Sequence, residues 1–164
     1  MKRSLLIFAA ILTALAAGCA SSPSSAIKRA LRAPEKAVLY SLYPIPASAA
    51  IPPFDSHAPP TNTSKFEGYY VLGQITLNNG QSKKAIASVC SNVHPPPPGV
   101  KSACGFSPRH GLEITTRDKT YDLLLCYQCG KIEIIGDDAG GDFELSGSPG
   151  FFNKLLDAAK IPRD

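Results

Sequence analysis

The sequence predicts an α+β fold, in which an antiparallel sheet of four or five strands carries two helices packed on one face. Three observations lead to this prediction. Short runs of β-branched and aromatic residues recur along the chain, bounded by Gly, Pro, Asn or Asp. Three such runs, at 112–116, 121–126 and 131–135, are separated only by short turns, which favours an antiparallel meander. Two other segments, 82–93 and 149–160, space their apolar residues at helical intervals.

Two further strands are expected before the meander. Residues 36–42 are rich in strand formers and are followed by Tyr43-Pro44, which predicts a short edge strand. Residues 69–77 predict a second strand, because Asn and Gly follow at 78–80 and tolerate the backbone angles of a turn. The segment 136–147 is rich in Gly and Asp and is interpreted as a loop.

The two helices have different start and stop signals. Ser82 is the expected N-cap of the first helix, and the prolines at 95–98 must end it. Ser148 and Pro149 supply an N-cap and first-turn pair for the second, which Pro162 ends. The expected inward residues are Ile86, Val89, Cys90 and Val93 in the first helix, and Phe152, Leu155, Leu156 and Ala159 in the second.

The first residues of the chain indicate export. Lys2 and Arg3 precede an apolar run at 5–17, which is shorter than the roughly 20 residues that a membrane-spanning helix needs. Small residues follow and end in Gly18-Cys19. This pattern resembles the signal peptide and lipobox of bacterial lipoproteins, and the resemblance implies that Cys19 is the acylated first residue of the mature protein. Ala20 at the next position implies the outer membrane, facing the periplasm, rather than the inner membrane.

The domain organisation follows from these signals. Residues 1–18 are the expected signal peptide, and 19–35 are a lipidated flexible tether. Residues 36–164 form a single α+β domain with a disordered Pro-rich excursion at 45–65. The formal net charge of the whole chain is only +4, and Lys2 and Arg3 account for two of those charges, so a nucleic-acid partner is excluded.

Four cysteines remain beside Cys19, namely Cys90, Cys104, Cys126 and Cys129. Disulfides persist outside the cytosol, and four cysteines allow three pairings that the sequence does not rank. The simplest arrangement joins Cys90 to Cys104 and Cys126 to Cys129. Tyr127-Gln128 is not a favoured hairpin dipeptide, so sulfur is expected to shape this turn through a disulfide or a metal.

Two other interpretations use the same residues. Cys104, His110, Cys126 and Cys129 are a ligand set typical of tetrahedral zinc, and copper is the other candidate metal. Cys126 and Cys129 could instead cycle between dithiol and disulfide in a thiol-disulfide redox protein. Arg109 and His110 together offer an anion or partner contact.

Four groups of residues are similar to an uncharacterised family of bacterial proteins along 36–161. They are Tyr40-Ser41-Leu42-Tyr43-Pro44, the segment 68–73, Cys104 with Pro108-Arg109-His110-Gly111, and Asp122-Leu123 with Cys126-x-x-Cys129. The resemblance implies that Cys104, His110, Cys126 and Cys129 are the shared polar positions. It makes the metal site and the disulfides equal alternatives, and it implies no activity.

The sequence therefore predicts a membrane-anchored envelope lipoprotein that is non-enzymatic, with a structural or metal-binding Cys/His cluster. A redox protein using Cys126 and Cys129 is one alternative. The other is an interaction module that binds another envelope protein through the sheet or through Arg109 and His110.

Overall fold

The computed structural model describes residues 34–49, 64–99, 104–136 and 140–164. In this part of the chain, 42% of the residues are in strands and 21% in helices. The strands are β1 (Lys36–Pro46), β2 (Lys65–Phe66), β3 (Tyr69–Thr76), β4 (Val93–His94), β5 (His110–Thr115), β6 (Thr120–Cys126), β7 (Lys131–Ile135) and β8 (Gly141–Leu145). The helices are α1 (Asn79–Asn92) and α2 (Gly150–Ala158).

The described strands form one sheet in the order β2-β3-β1-β5-β6-β7-β8-β4, and every neighbouring pair is antiparallel. The predicted sheet of four or five strands with two helices packed on one face is therefore wrong, because the described residues contain eight strands. The missed strands are β2 and β4, with two residues each, and β8, which lies inside the segment interpreted as a loop. A two-residue strand is too short to show alternation, and the Gly and Asp residues of β8 favoured a loop there.

The first strand differs from its prediction in length and position. It continues to Pro46 and pairs with β3 on one side and β5 on the other, so it lies inside the sheet and not at an edge. Irregular register after Ser41 and after Leu42 leaves room for the two prolines in its last residues. Within the predicted excursion at 45–65, residues 45 and 46 belong to β1 and residue 65 to β2, while 50–63 lie outside the described residues.

The sheet has a hydrophobic cluster on each face. The larger one combines residues of both helices with residues of β1 and of β4 to β8, and with Leu77, which follows β3. Its members Leu39, Leu112, Leu123, Ile132, Phe152 and Leu156 are no more than 1% exposed. The smaller one, on the opposite face, consists of Leu42, Phe66, Tyr69, Val71 and Leu124. Alternating side chains of a strand point to opposite faces, which explains why Leu123 and Leu124 belong to different clusters.

The first helix begins earlier than predicted. Asn78, and not Ser82, is its N-cap, with a side chain that accepts a hydrogen bond from the Gln81 backbone N–H at 2.9 Å. The Gln81 side chain accepts in return from the Asn78 N–H at 3.0 Å, which completes a capping box. Ser82 lies in the first turn, where its buried hydroxyl donates to the Asn78 carbonyl at 2.9 Å.

The second helix packs against the sheet through the larger cluster, and the residues after it contact β3 and β1. Phe152 and Leu156 are completely buried as predicted, whereas Ala159 lies beyond the helix and is exposed. The chain then crosses β3 and β1. There Ile161 packs on Gly73, and the Ser41 hydroxyl donates to the Pro162 carbonyl at 2.6 Å.

Candidate functional site

The candidate site lies where β5 begins and β6 ends. His110 and Leu125 are partners in this ladder, so the segment before β5 and the turn after β6 meet at the same edge. Backbone hydrogen bonds fix the approach: the Arg109 N–H donates to the Leu125 carbonyl at 3.3 Å, and the Leu42 N–H donates to the Arg109 carbonyl at 3.0 Å. The strand pairing thus brings together residues that are distant in sequence.

Cys126 and Cys129 form a pair at disulfide distance, with 5.5 Å between their Cα atoms. Cys126 is only 1% exposed and Cys129 is half-buried. The Cys129 N–H also lies 3.3 Å from Cys126 Sγ and donates to it. Gly130 follows with φ of +65°, a backbone conformation that residues other than glycine rarely adopt. The sulfur pair and this glycine together shape the turn between β6 and β7.

His110 is a buried part of the core. It is 5% exposed, its Nε2 atom lies 2.8 Å from Asn153 Oδ1, and its ring packs near those of Tyr127 and Phe152. Burial lowers the pKa of His110 to about 4, although the hydrogen bond that His110 donates to Asn153 opposes the shift and Arg163 and Arg109 add to it. The imidazole is therefore neutral at pH 7.

Arg109 and Tyr127, which lie beside His110, are constrained by an ion pair and by burial, respectively. The Arg109 guanidinium lies 3.1 Å from the Asp164 carboxylate. The cation expected to bind an external anion therefore already forms an ion pair within the chain. Burial raises the pKa of Tyr127 to about 12, which keeps its phenol protonated.

Two adjoining clefts open at this end of the sheet. A cleft of about 290 Å³ is bounded by Arg109, His110 and Tyr127. A second cleft, of about 240 Å³, is lined by Cys104, Gly105, Ser107, Cys126, Gln128 and Cys129, and we name it the sulfur cleft. Ser107 and Gln128 belong to both clefts and form the wall between them.

Six of the candidate cysteine, histidine and arginine residues lie in the described part of the chain, and the structure brings five of them to these clefts, namely Cys104, Arg109, His110, Cys126 and Cys129. Cys90 lies elsewhere, half-buried on α1 against the larger cluster, and no disulfide joins it to Cys104. Among the described residues, no group of three or more His, Cys, Asp or Glu side chains is arranged to hold a metal ion. Of the predicted zinc or copper set of Cys104, His110, Cys126 and Cys129, His110 Nε2 bonds to Asn153, and Cys126 and Cys129 form a pair at disulfide distance.

Sequence reasoning missed Asn153, Ser107 and Gln128. Asn153 follows Phe152 in the predicted inward stripe of the second helix, and a polar residue next to a buried aromatic is the one signal that pointed to it. Ser107 and Gln128 have no such signal, because their position depends on how the two segments meet.

A second group of ionisable side chains lies on the opposite face of the sheet. Burial raises the pKa of Asp122 to about 7, and a hydrogen bond with Glu67 and the charges of Glu67 and Glu113 add to the shift. Asp122 Oδ1 is buried and has no hydrogen-bond partner among the described residues. The Tyr40 hydroxyl donates to Glu113 at 3.2 Å. This group is a pH-sensitive part of the fold.

Comparison with protein-family models, curated proteins and solved structures gives no match for this chain. Among the described residues, no helix has the length and apolar character needed to cross a membrane. Cys19 and the predicted signal peptide lie outside the described residues.

Proposed function

We propose that this chain is a non-enzymatic lipoprotein of the bacterial cell envelope, anchored by acyl chains on Cys19. The observation that carries the proposal is the Cys126–Cys129 pair at disulfide distance. Disulfides form and persist in exported proteins and are rare in the cytosol, so the pair agrees with the signal peptide and lipobox predicted at residues 1–19. Two acyl chains on one cysteine suffice for stable attachment to a membrane.

The state of His110 supports a non-enzymatic role. Histidine is the most common general base in enzymes, and it needs access to a substrate proton. Here the ring is 5% exposed, and its Nε2 atom is bonded to Asn153. His110 therefore acts as a packing and hydrogen-bonding residue that ties β5 to α2.

The Cys126–Cys129 disulfide stabilises the β6–β7 turn in this proposal. For a loop this short, the chain-entropy model gives a stabilisation of about 2 kcal/mol. The turn positions Tyr127, which packs against His110 and Phe152, so the disulfide also maintains the aromatic contacts between the sheet and α2.

The test compares the full-length chain with Cys19→Ser and Cys90→Ser variants in a bacterial host. We expect the wild type and Cys90→Ser to incorporate labelled palmitate and sediment with membranes, and Cys19→Ser to do neither. Intact mass after alkylation without reduction should show one disulfide in all three. Cys90→Ser is the matched control, because it removes a cysteine and leaves both the lipobox and the pair. Equal palmitate labelling of wild type and Cys19→Ser, or a fully reduced protein in the cytosol, would contradict the proposal.

A further inference from the structure

Three sulfur atoms share the sulfur cleft. Cys104 reaches it from the segment before β5, and Cys126 and Cys129 reach it from the turn after β6. The Cys104 thiol donates a long hydrogen bond, of 3.6 Å, to the carbonyl of Gly105. A Cβ atom added to Gly105 would meet no heavy atom within 4 Å, so the space beside Gly105 is open.

The three cysteines differ in their access to solvent. Cys104 is exposed, Cys129 is half-buried and Cys126 is 1% exposed. A thiol or disulfide that approaches from solvent therefore meets Cys104 before it meets the Cys126–Cys129 pair. Within the cleft, Cys129 is the more accessible sulfur of that pair.

We propose that Cys104 exchanges with the Cys126–Cys129 disulfide, which makes this chain a thiol-disulfide exchange protein as well as an anchored domain. Cys104, as the thiolate, attacks Cys129 Sγ. The Cys104–Cys129 bond forms, the Cys126–Cys129 bond breaks, and Cys126 leaves as a thiolate that takes up a proton equivalent to the one Cys104 released. The number of disulfides is unchanged, so this step requires no oxidant.

The direction of attack follows from a hydrogen bond in the turn. The Cys129 N–H donates to Cys126 Sγ, and a hydrogen bond to a thiolate stabilises its charged form. A sulfur stabilised as a thiolate is the better leaving group in disulfide exchange. Attack on Cys129 with departure of Cys126 is therefore favoured over attack on the buried Cys126.

The exchange gives an external protein dithiol a route to the buried pair. A thiol of that partner attacks Cys104 in the Cys104–Cys129 bridge, which forms a mixed disulfide and releases the Cys129 thiolate. The second thiol of the partner then attacks the partner's other sulfur atom, which is bonded to Cys104 in the mixed disulfide, and releases the Cys104 thiolate. The partner loses two electrons and becomes a disulfide, and this chain gains them as two thiols.

The first experiment traps the exchanged bridge with a Cys126→Ser variant of the full-length chain exported to the bacterial periplasm, whose oxidising system accepts the two electrons released when Cys104 and Cys129 bond. After alkylation without reduction, mass mapping should find a Cys104–Cys129 disulfide and an alkyl group on Cys90. The double variant Cys126→Ser/Cys104→Ser is the matched control and should show alkyl groups on both Cys90 and Cys129. Alkylation of Cys104 and Cys129 together in Cys126→Ser would overturn the proposal.

The second experiment uses the wild-type disulfide, so it does not depend on the folding of Cys126→Ser. It measures how fast reduced glutathione opens the Cys126–Cys129 bond. We expect Cys104→Ser to slow this reaction by about tenfold or more, because glutathione must then attack the half-buried pair directly. Cys90→Ser should leave the rate unchanged. Equal rates for Cys104→Ser and wild type would contradict a role for Cys104, and lipid anchoring would be unaffected by that result.

Discussion

His110 Nε2 and Asn153 Oδ1 lie 2.8 Å apart, and this hydrogen bond joins the first residue of β5 to α2. An amide oxygen only accepts hydrogen bonds, so Nε2 carries the imidazole proton and Nδ1 is the acceptor nitrogen. The neutral tautomer is thus fixed by a residue on another element. This bond explains why a histidine followed by Gly111 in the sequence is buried rather than part of a surface turn.

Replacing Asn153 by Ala should destabilise the fold. The buried Nε2–H would lose its acceptor, and an unsatisfied buried donor costs about 1–3 kcal/mol. Chemical denaturation monitored by circular dichroism should show this decrease in the free energy of unfolding. Lys154→Ala is the control, because Lys154 is the next residue on α2 and is exposed. An Asn153→Ala variant as stable as Lys154→Ala would show that the hydrogen bond contributes nothing.

Replacing Asn153 by Asp should raise the pKa of His110 from about 4. A carboxylate at this position would favour the imidazolium more strongly than the hydrogen bond to the neutral amide does. Titration of the histidine ring protons by NMR measures the shift directly. His94, which is exposed on the edge strand β4, provides the reference ring signals. A His110 pKa that is unchanged or lower in Asn153→Asp would argue against direct contact.

The pKa values of Asp122 and His110 give opposite dependences of stability on pH. For Asp122, the folded-state pKa of about 7 lies above its ordinary value of 3.8, so its contribution is complete below about pH 4 and is lost as pH rises through 7. For His110, the folded-state pKa of about 4 lies below its ordinary value of 6.5, so its contribution is complete above pH 6.5 and is lost as pH falls through 4. The two effects oppose each other in the same interval.

Asp122→Asn should therefore be more stable than wild type at pH 8, because Asn has the shape of the protonated acid and carries no charge. Asp122 is half-buried, so we expect a difference on the order of 1 kcal/mol. As pH falls from 7 to 4, the variant should lose stability relative to wild type, since only the His110 effect remains. Urea denaturation across this range is the measurement. Asp118→Asn, in an exposed turn, is the control, and equal slopes for Asp122→Asn and wild type would contradict the prediction.

The sequence predicted the middle of the sheet better than its borders. The strands β5, β6 and β7 were expected close to their observed bounds, because each has alternating apolar residues and a short turn to the next. The two-residue strands β2 and β4 depend on pairing with β3 and β8, which local sequence does not encode. β1 was expected at an edge because of Pro44, and the irregular register that accommodates its prolines is a tertiary feature.

The candidate site was predictable to the extent that its chemistry is local. Spacing made Cys126 with Cys129 part of the simplest disulfide arrangement, but the sequence neither ranked the three pairings nor excluded a metal. The structure places these two cysteines at disulfide distance. The position of Cys104 beside them depends on the β5–β6 register. Which partner His110 binds was not predictable either, because Asn153 reaches it only after α2 has packed on the sheet.

The contact between Gly73 on β3 and Ile161 tests how the last residues of the chain pack on the sheet. A Cβ atom on Gly73 would lie 2.7 Å from Ile161 Cγ2, too close for two carbon atoms. Gly73→Ala should therefore push Ile161 off the sheet and lower the free energy of unfolding by about 1–3 kcal/mol. The Ser41 bond to Pro162, the next residue, should weaken with it.

The double variant Gly73→Ala/Ile161→Ala separates this contact from other effects of the substitution. Removing the Ile161 side chain makes room for the new methyl group, so the double variant should be more stable than the sum of the single changes predicts. Gly80→Ala is the control for a glycine with space, because its Cβ would meet only Asn78 Oδ1, at 3.5 Å. Since Gly80 lies in the first turn of α1, that change should increase stability by about 0.5–1 kcal/mol. Strictly additive effects of Gly73→Ala and Ile161→Ala would show that the two residues do not meet in solution.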